Sequence, residues 1–377
     1  MMHSLLYSFK NKQFTIVSIV YYVIAFTILF YYGINDDGEA FKYLLDGKSI
    51  AENKGLNYGE FSYFFITYSI LLAFFIKLKI SLWAVVIIQI LLAYVAAYCL
   101  YKLILRKANN HFLALLIFTC YLFCYPIQKW LFFIYSEGVY TSFVVIGFCV
   151  FMKLVDDFSF KNVFFFILLT IAIITTRPVG ILFLLAVFTT FLIYCYISKQ
   201  HKLLRILILA GLIICIALLN SPVRYFINPD SLKRMEVICM VPQKNITASY
   251  SQYNRVGLMG AFNVVKNDIG VINFLKVGIK KLQLFFGLVR PYYSLKNNIF
   301  LAINWLFYPF AIIGIFFYKK KELLLIKVCC ISMLFFTALS IFITCDDWSN
   351  RFIAPIFPFI IVLAGFGINF LRCKKLA

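Results

Sequence analysis

The sequence predicts an all-α, polytopic integral membrane protein of about ten transmembrane helices, with further helices lying in the membrane interface on one side. Three observations lead there. Of 377 residues, 63% are hydrophobic and 14% charged, where a soluble domain is roughly half apolar and a quarter charged. Apolar runs repeatedly reach the ~20 residues that cross a hydrocarbon core of roughly 30 Å, and they are far too long for barrel strands. The cations between the runs crowd every second short loop, the asymmetry of the positive-inside rule.

Taken in order, the spans read as about 13–33, 82–102, 112–128, 137–155, 162–176, 178–197, 204–220, 298–318, 323–343 and 352–371. The first lacks a small-residue cleavage site and reads as a retained anchor. The fifth and sixth are nearly continuous. The break falls at Arg177-Pro178, because proline cannot sustain the helix ladder and pushes its predecessor out of helical geometry. Residues 1–220 thus form an N-terminal transmembrane module holding a first outer loop at 34–81. Residues 221–297 form a long basic outer loop, and 298–377 the C-terminal transmembrane helices.

Phe61–Ile80 is apolar enough to span but carries Tyr63, Thr67, Tyr68 and Lys77. Charge decides its place. With 61–80 in the interface and both termini cytoplasmic, sixteen cations lie in cytoplasmic segments, among them Arg106, Lys107, Lys153, Lys319, Lys320 and Arg372. The short outer loops keep only Lys129, Arg177 and Arg351, and twelve of the fifteen acids fall outside. If 61–80 spans and the N-terminus lies outside, the loops still obey the rule, but the acidic loop moves inside and the N-terminal lysines outside. The first topology is the expected one. Lys-, Phe- and Ile-rich usage hints at a bacterium, whose inner membrane is then the expected location, and no nucleic-acid partner is expected.

Composition also excludes chemistry. Most of the 11 cysteines lie inside apolar runs, where they act as small hydrophobes. None forms a C-x-x-C pair, which argues against a metal or redox framework. Cys239 and Cys345 fall in outer segments and are candidates to pair. His3, His111 and His201 lie near cytoplasmic ends, against histidine-centred catalysis.

The candidate site residues are polar groups at the outer edge. Asn35-Asp36-Asp37-Gly38-Glu39 follows directly on the first span. It reads either as a solvated turn opening a short helix, capped and dipole-favoured, or as a site, since ionised groups at a bilayer edge are costly unless solvated or used. Phe41, Leu44, Leu45 and Ile50 give the following helix an apolar face. Glu137 opens a span within Tyr135-Ser136-Glu137-Gly138-Val139-Tyr140; it is either a helix N-terminal acid or a partner of the Asp cluster. Arg177 either snorkels or binds a phosphate. Asp346-Asp347-Trp348-Ser349-Asn350-Arg351 forms a further polar knot, in which Trp348 is an interfacial anchor candidate. The long loop sets Arg224, Lys233, Arg234, Lys244, Arg255, Lys266, Lys276, Lys280, Lys281, Arg290 and Lys296 against Asp230, Glu236 and Asp268. Its stretch 274–286 reads as an amphipathic interfacial helix, for contact with anionic lipid or for holding a lipid-linked phosphate. Asn245-Ile246-Thr247 matches a glycosylation sequon.

Together these residues resemble the GT-C superfamily of polyprenyl-phosphate-sugar-dependent glycosyltransferases, including its protein mannosyltransferase-like and aminoarabinose transferase-like branches. The likeness covers most of the chain. It rests on an acidic motif after the first span (Asp36-Asp37-Gly38-Glu39-Ala40-Phe41), an acid at the outer start of a later span (Glu137), an Arg-Pro turn (Thr176-Arg177-Pro178-Val179-Gly180), and prolines leading into a late span (Arg351-Phe352-Ile353-Ala354-Pro355-Ile356-Phe357-Pro358). The chain departs at Phe64-Phe65-Ile66-Thr67, where many relatives carry a Pro-Pro pair.

The resemblance implies a GT-C-like fold and one inverting displacement on the non-cytoplasmic side. A carboxylate takes the acceptor hydroxyl's proton as that oxygen attacks sugar C1 and the lipid phosphate leaves. It implies Asp37 as the base, because Phe41 then stands where the family aromatic sits, with Asp36 as the close second. Glu39 and Glu137 would orient acceptor or sugar, and Arg177, Arg290, Arg351 and one of Lys280 and Lys281 would bind substrate or its phosphate. The implied donor is an undecaprenyl- or dolichyl-phosphate sugar. The acceptor is a surface glycan, glycolipid or protein. No cofactor is implied with certainty, and a divalent cation is left open. Two other classes stay open: a glycan polymerase of the O-antigen type, which would rely on arginines of the large loop, and a transporter, which would place ionisable residues mid-membrane in inverted repeats.

Overall fold

The computed structural model describes residues 2–57, 60–200, 208, 234–239, 241, 262–347 and 349–376. The expected span 204–220 apart from Ile208, the loop residues Arg224, Asp230, Lys233, Lys244 and Arg255, the sequon and Trp348 lie outside them. Among the described residues every regular element is a helix, and the only β structure is isolated bridges. The helices are α1 (Met2–Tyr32), α2 (Ala40–Ala51), α3 (Ile66–Lys77), α4 (Trp83–Ala108), α5 (His111–Phe123), α6 (Tyr125–Gln128), α7 (Ser136–Asp156), α8 (Phe160–Thr176), α9 (Gly180–Ile197), α10 (Val271–Gly287), α11 (Leu295–Ala302), α12 (Phe307–Phe316), α13 (Leu324–Ile343) and α14 (Phe357–Leu376).

Seven stretches are long and apolar enough to cross a membrane: Lys12–Tyr32, Trp83–Ala108, Ser136–Asp156, Gly180–Ile197, Leu295–Phe316, Lys321–Ile343 and Phe357–Lys374. An eighth results if α5 and the segment Tyr125–Phe132, bent by 50°, count as one span. The expected helix at 112–128 is therefore broken. Cys124 is extended, and Pro126 sits in the first turn beyond it, where its missing N–H costs nothing. The expected span at 162–176 is α8, 17 residues long. The last span starts at Phe357 instead of 352, because Arg351–Ile353 form a 3₁₀ turn.

The chain divides into two compact units, one of residues 1–187, 303–331 and 354–377, the other of 188–302 and 332–353. In the first, α4 packs on α5 and α7. It buries Val85, Val86, Gln89, Ile90, Ala93, Ala96, Ala97 and Leu100, a stripe at helical spacing. Its alanines let backbones approach closely, as small residues do in membranes. Helices α12 and α14 meet at Gly314 and Gly367, where an added Cβ would strike the carbonyls of Leu363 and Phe310. Only glycine fits that crossing.

This unit has two polar edges. At one, Arg106 (3.0 Å) and Lys107 pair with Asp156, Lys320 donates to the Ala108 carbonyl at 2.7 Å, and Asn110 donates to Asn369 at 2.9 Å. At the other lie the end of α1, the starts of α4 and α7 and the end of α8. Helix α3 begins and returns at this second edge. Thr67 Oγ1 lies 2.6 Å from Thr175 Oγ1, Tyr68 donates to Gln89 at 3.3 Å, and the chain enters α4 at Trp83. Helix α3 packs on α2, whose Gly47 is so close that a Cβ would come within 2.9 Å of Leu72 Cβ. The α2–α3 pair thus packs as one layer at this edge, and the apolar helix Ser62–Lys77 is shorter than the stretches long enough to span.

In the second unit, α10 and α11 are joined by 288–294, and the loop after α13 is tied back by a disulfide between Cys239 and Cys345, with Cα atoms 5.2 Å apart.

Candidate functional site

The acidic segment is held against the turn that precedes α7. The Asn35 amide donates to the Phe132 carbonyl at 2.8 Å, and the Ile134 amide donates to the Asn35 carbonyl at 2.8 Å. The Tyr135 hydroxyl donates to the Asp37 carbonyl at 3.0 Å and accepts from the Glu39 amide at 3.2 Å. Gly38 lies between, at φ +64°, with room for no Cβ beneath the Tyr135 oxygen; a glycine suits both constraints. The turn itself is fixed from below by Gln89, which donates to the carbonyls of Leu131 (2.8 Å) and Phe133 (3.0 Å). The backbone of 35–39 is therefore anchored while the Asp36 and Asp37 side chains stay exposed. Neither carboxylate is in an ion pair among the described residues. Glu39 is half-buried and pairs with Lys42 at 2.7 Å, and Lys42 lies over the rings of Tyr43 (4.8 Å) and Phe65 (4.6 Å).

Behind this loop is a buried polar layer. Glu137, fully buried, pairs with Arg177, which is 6% exposed. Tyr43 on α2 lies 3.1 Å from Ser136 Oγ. Burial pushes the Tyr43 hydroxyl far up, and Glu137 adds to the rise; Arg177 and the Ser136 hydrogen bond oppose it, and Glu39 raises it further. Tyr43 thus stays neutral, standing between the acidic loop and the buried pair. A buried carboxylate is costly unless paired, and Arg177, delivered by the expected break before Pro178, supplies that partner.

The second unit holds the other predicted residues. Arg290, fully buried, pairs with fully buried Asp346 and donates to the Leu284 carbonyl. Its amide donates to Asn298 Oδ1 at 3.0 Å. Burial pushes the Asp346 carboxyl up to about 7 against the pull of Arg290. Arg351 pairs with Asp347 at 2.7 Å. Lys281 is buried and donates to the Thr344 carbonyl at 2.5 Å, and burial lowers its ammonium to about 8. Lys280, one residue on, is exposed.

The structure therefore brings Asp36, Asp37, Glu39, Glu137 and Arg177 to one edge of the first unit, and Lys281, Arg290 and Arg351 into one knot of the second. Arg177, Arg290 and Arg351, expected as substrate or phosphate ligands, each pair with a carboxylate, and Glu137 is fully buried. Of Lys280 and Lys281, one of which was expected at the phosphate, Lys280 is exposed and Lys281 is buried against the Thr344 carbonyl. Sequence reasoning missed Tyr135, Tyr43, Gln89 and Lys42. A polar side chain within an apolar run was a signal for Gln89, while the other three read as ordinary interfacial residues. Among the described residues no group of three or more His, Cys, Asp or Glu side chains is placed to hold a metal ion. Compared with protein-family models, curated proteins and solved structures, the chain matches none.

Proposed function

We propose that this protein is a membrane glycosyltransferase of GT-C type. It moves a sugar from a polyprenyl-phosphate donor to a hydroxyl of a surface glycan, glycolipid or protein, with inversion, on the non-cytoplasmic side of a bacterial inner membrane. The observation that carries this reading is a pair of exposed carboxylates, Asp36 and Asp37, on a backbone pinned by Tyr135 beside the buried Glu137–Arg177 pair. A base must be accessible to substrate yet held on a fixed backbone; the Asp37 side chain is exposed and its main chain is hydrogen-bonded on both sides. Ten spans and cytoplasmic termini belong to the same reading and are supported by the cation-rich edge at 106–108, 153–161 and 319–321.

Asp37 takes the proton of the acceptor hydroxyl while that oxygen forms its bond to sugar C1. The C1–O bond to phosphate breaks, and the electron pair leaves with the polyprenyl phosphate. Lys42, in the same cluster, is the nearest cation to that phosphate and would exchange its contact with Glu39 for it, and Glu137 acts through Arg177 and Tyr43 to hold the layer behind the loop.

The test is release of undecaprenyl phosphate from undecaprenyl-phosphate-linked hexoses and pentoses in membranes containing the protein, read by mass spectrometry. Asp37→Asn is expected to lower release by about 10²–10⁴-fold, with a smaller loss for Asp36→Asn. Undiminished release in both variants sinks the assignment.

A further inference from the structure

Helix α10 has three faces. At ~100° per residue, Gly278, Lys281 and Phe285 fall in one sector, and all are buried. Gly278 rests on the Phe342 ring, where a Cβ would collide, so this face is fully packed. A second sector carries Val271, Ile272, Leu275 and Ile279, exposed by 56%, 70%, 47% and 53%. A third carries Asn273, Lys276, Lys280 and Gln283, all exposed. The helix contains no acid.

The position relative to the membrane follows from the disulfide. Cys239 and Cys345 pair, and disulfides persist in oxidising compartments. Lys281 ties α10 to Thr344, one residue from Cys345. The helix therefore lies on the non-cytoplasmic side. Four large aliphatic side chains along one sector are costly in water and favourable among acyl chains. Lys276 and Lys280 stand one turn apart at the border of that sector, where a lysine stem follows the apolar surface and its ammonium reaches headgroup level.

From these faces we infer that α10 lies in the outer interface and that Lys276 and Lys280 form a binding site for the phosphate of an anionic phospholipid headgroup. The aliphatic sector sets the depth of the helix, and the two ammonium groups, unopposed by any acid of the helix, select the charge. The site is independent of the glycosyltransferase reading.

The test uses the full chain in phosphatidylcholine nanodiscs with and without phosphatidylglycerol, with retained lipid counted by native mass spectrometry. The wild type is expected to retain phosphatidylglycerol over phosphatidylcholine. Lys276→Gln/Lys280→Gln is expected to weaken that retention about 30-fold, from roughly one tenfold step or slightly less per lysine. Ile279→Trp checks depth without touching the lysines, and brominated acyl chains should quench its added fluorescence. Equal retention of both lipids, unchanged retention in the lysine variant, or no added quenching at position 279 overturns the proposal. Preferential capture of undecaprenyl phosphate over phosphatidylglycerol at these lysines also overturns it, by giving the site to another ligand.

Discussion

Two buried arginine–carboxylate pairs, Glu137–Arg177 and Arg290–Asp346, organise the two polar clusters, and their surroundings differ. Around Arg290, the two acids of the loop after α13 are both used among the described residues. Asp346 takes the guanidinium, Asp347 takes Arg351, and a disulfide closes the loop. Around Arg177, one acid is buried and paired, while two others stand exposed on a pinned backbone. The comparison teaches that a buried pair by itself marks architecture. What separates a site from a brace is the presence of further groups held in place but left unsatisfied.

The largest effect should come where the two regions differ. Asp37→Asn is expected to reduce transfer by about 10²–10⁴-fold, whereas Asp347→Asn should change it by less than about tenfold, the worth of ~1.4 kcal/mol. Side-by-side rates in membranes measure this, and a larger loss for Asp347→Asn would reverse the roles given to the two regions.

The next effect should appear where the regions are alike. Glu137→Ala and Asp346→Ala each leave a buried guanidinium unpaired, a loss of about 3–5 kcal/mol. Thermal unfolding in detergent should show both, and removing the partner as well (Glu137→Leu with Arg177→Leu) should restore part of it. A single variant that unfolds like the wild type would show that its pair is not a brace. The Asp346 pair carries a further signature. Its carboxyl lies at about 7 when folded against ~3.9 in an unfolded chain, so the folded state binds the proton more tightly. That contribution to stability is complete below pH ~4 and lost as pH rises through about 7. The wild type should therefore lose stability relative to Asp346→Asn across that window, and the opposite slope would refute the assignment.

Cys239→Ser should follow, at about 2–5 kcal/mol, with a mobility change under non-reducing electrophoresis that the wild type shows only after reduction. Its absence would remove the brace from the second region.

Hydropathy made the helices legible, because ~20 apolar residues have few alternatives to crossing a bilayer. Charge bias, weighed against an apolar composition, is what argues for an interfacial α3, and the structure adds that its apolar helix, Ser62–Lys77, is shorter than the spans. The break at Cys124–Pro126 was written in the sequence as a proline inside an expected span, yet hydropathy averages across it. The acid cluster and Glu137 were legible as polar groups at an apolar edge. Their partners were not: Arg177 meets Glu137 across 40 residues and Arg290 meets Asp346 across 56, and charge along a chain does not say which opposite charge folding will bring. For the same reason Arg177 and Arg290 read as ligands for phosphate, and Arg351 as a substrate ligand, with no sign of the carboxylates they pair with.

The smallest expected effect is the most informative about positioning. Tyr135→Phe removes one hydrogen bond given to the Asp37 carbonyl and one taken from the Glu39 amide, each worth about 0.5–1.5 kcal/mol. The ring itself can stay, stacked near Trp130 at 6.1 Å, so the fold should persist with an unchanged melting temperature to within a few degrees. If the hydroxyl holds the Asp37 backbone at the right place, kcat should fall about tenfold with KM nearly constant, because the lost precision is felt at proton transfer more than in binding. Gly38→Ala should give the same split by another route, since its φ of +64° and the Tyr135 oxygen 2.8 Å from the added Cβ both oppose the native loop. A loss in KM alone for both variants would mean that Tyr135 shapes the binding surface, and Asp37 would then reach its position without this anchor.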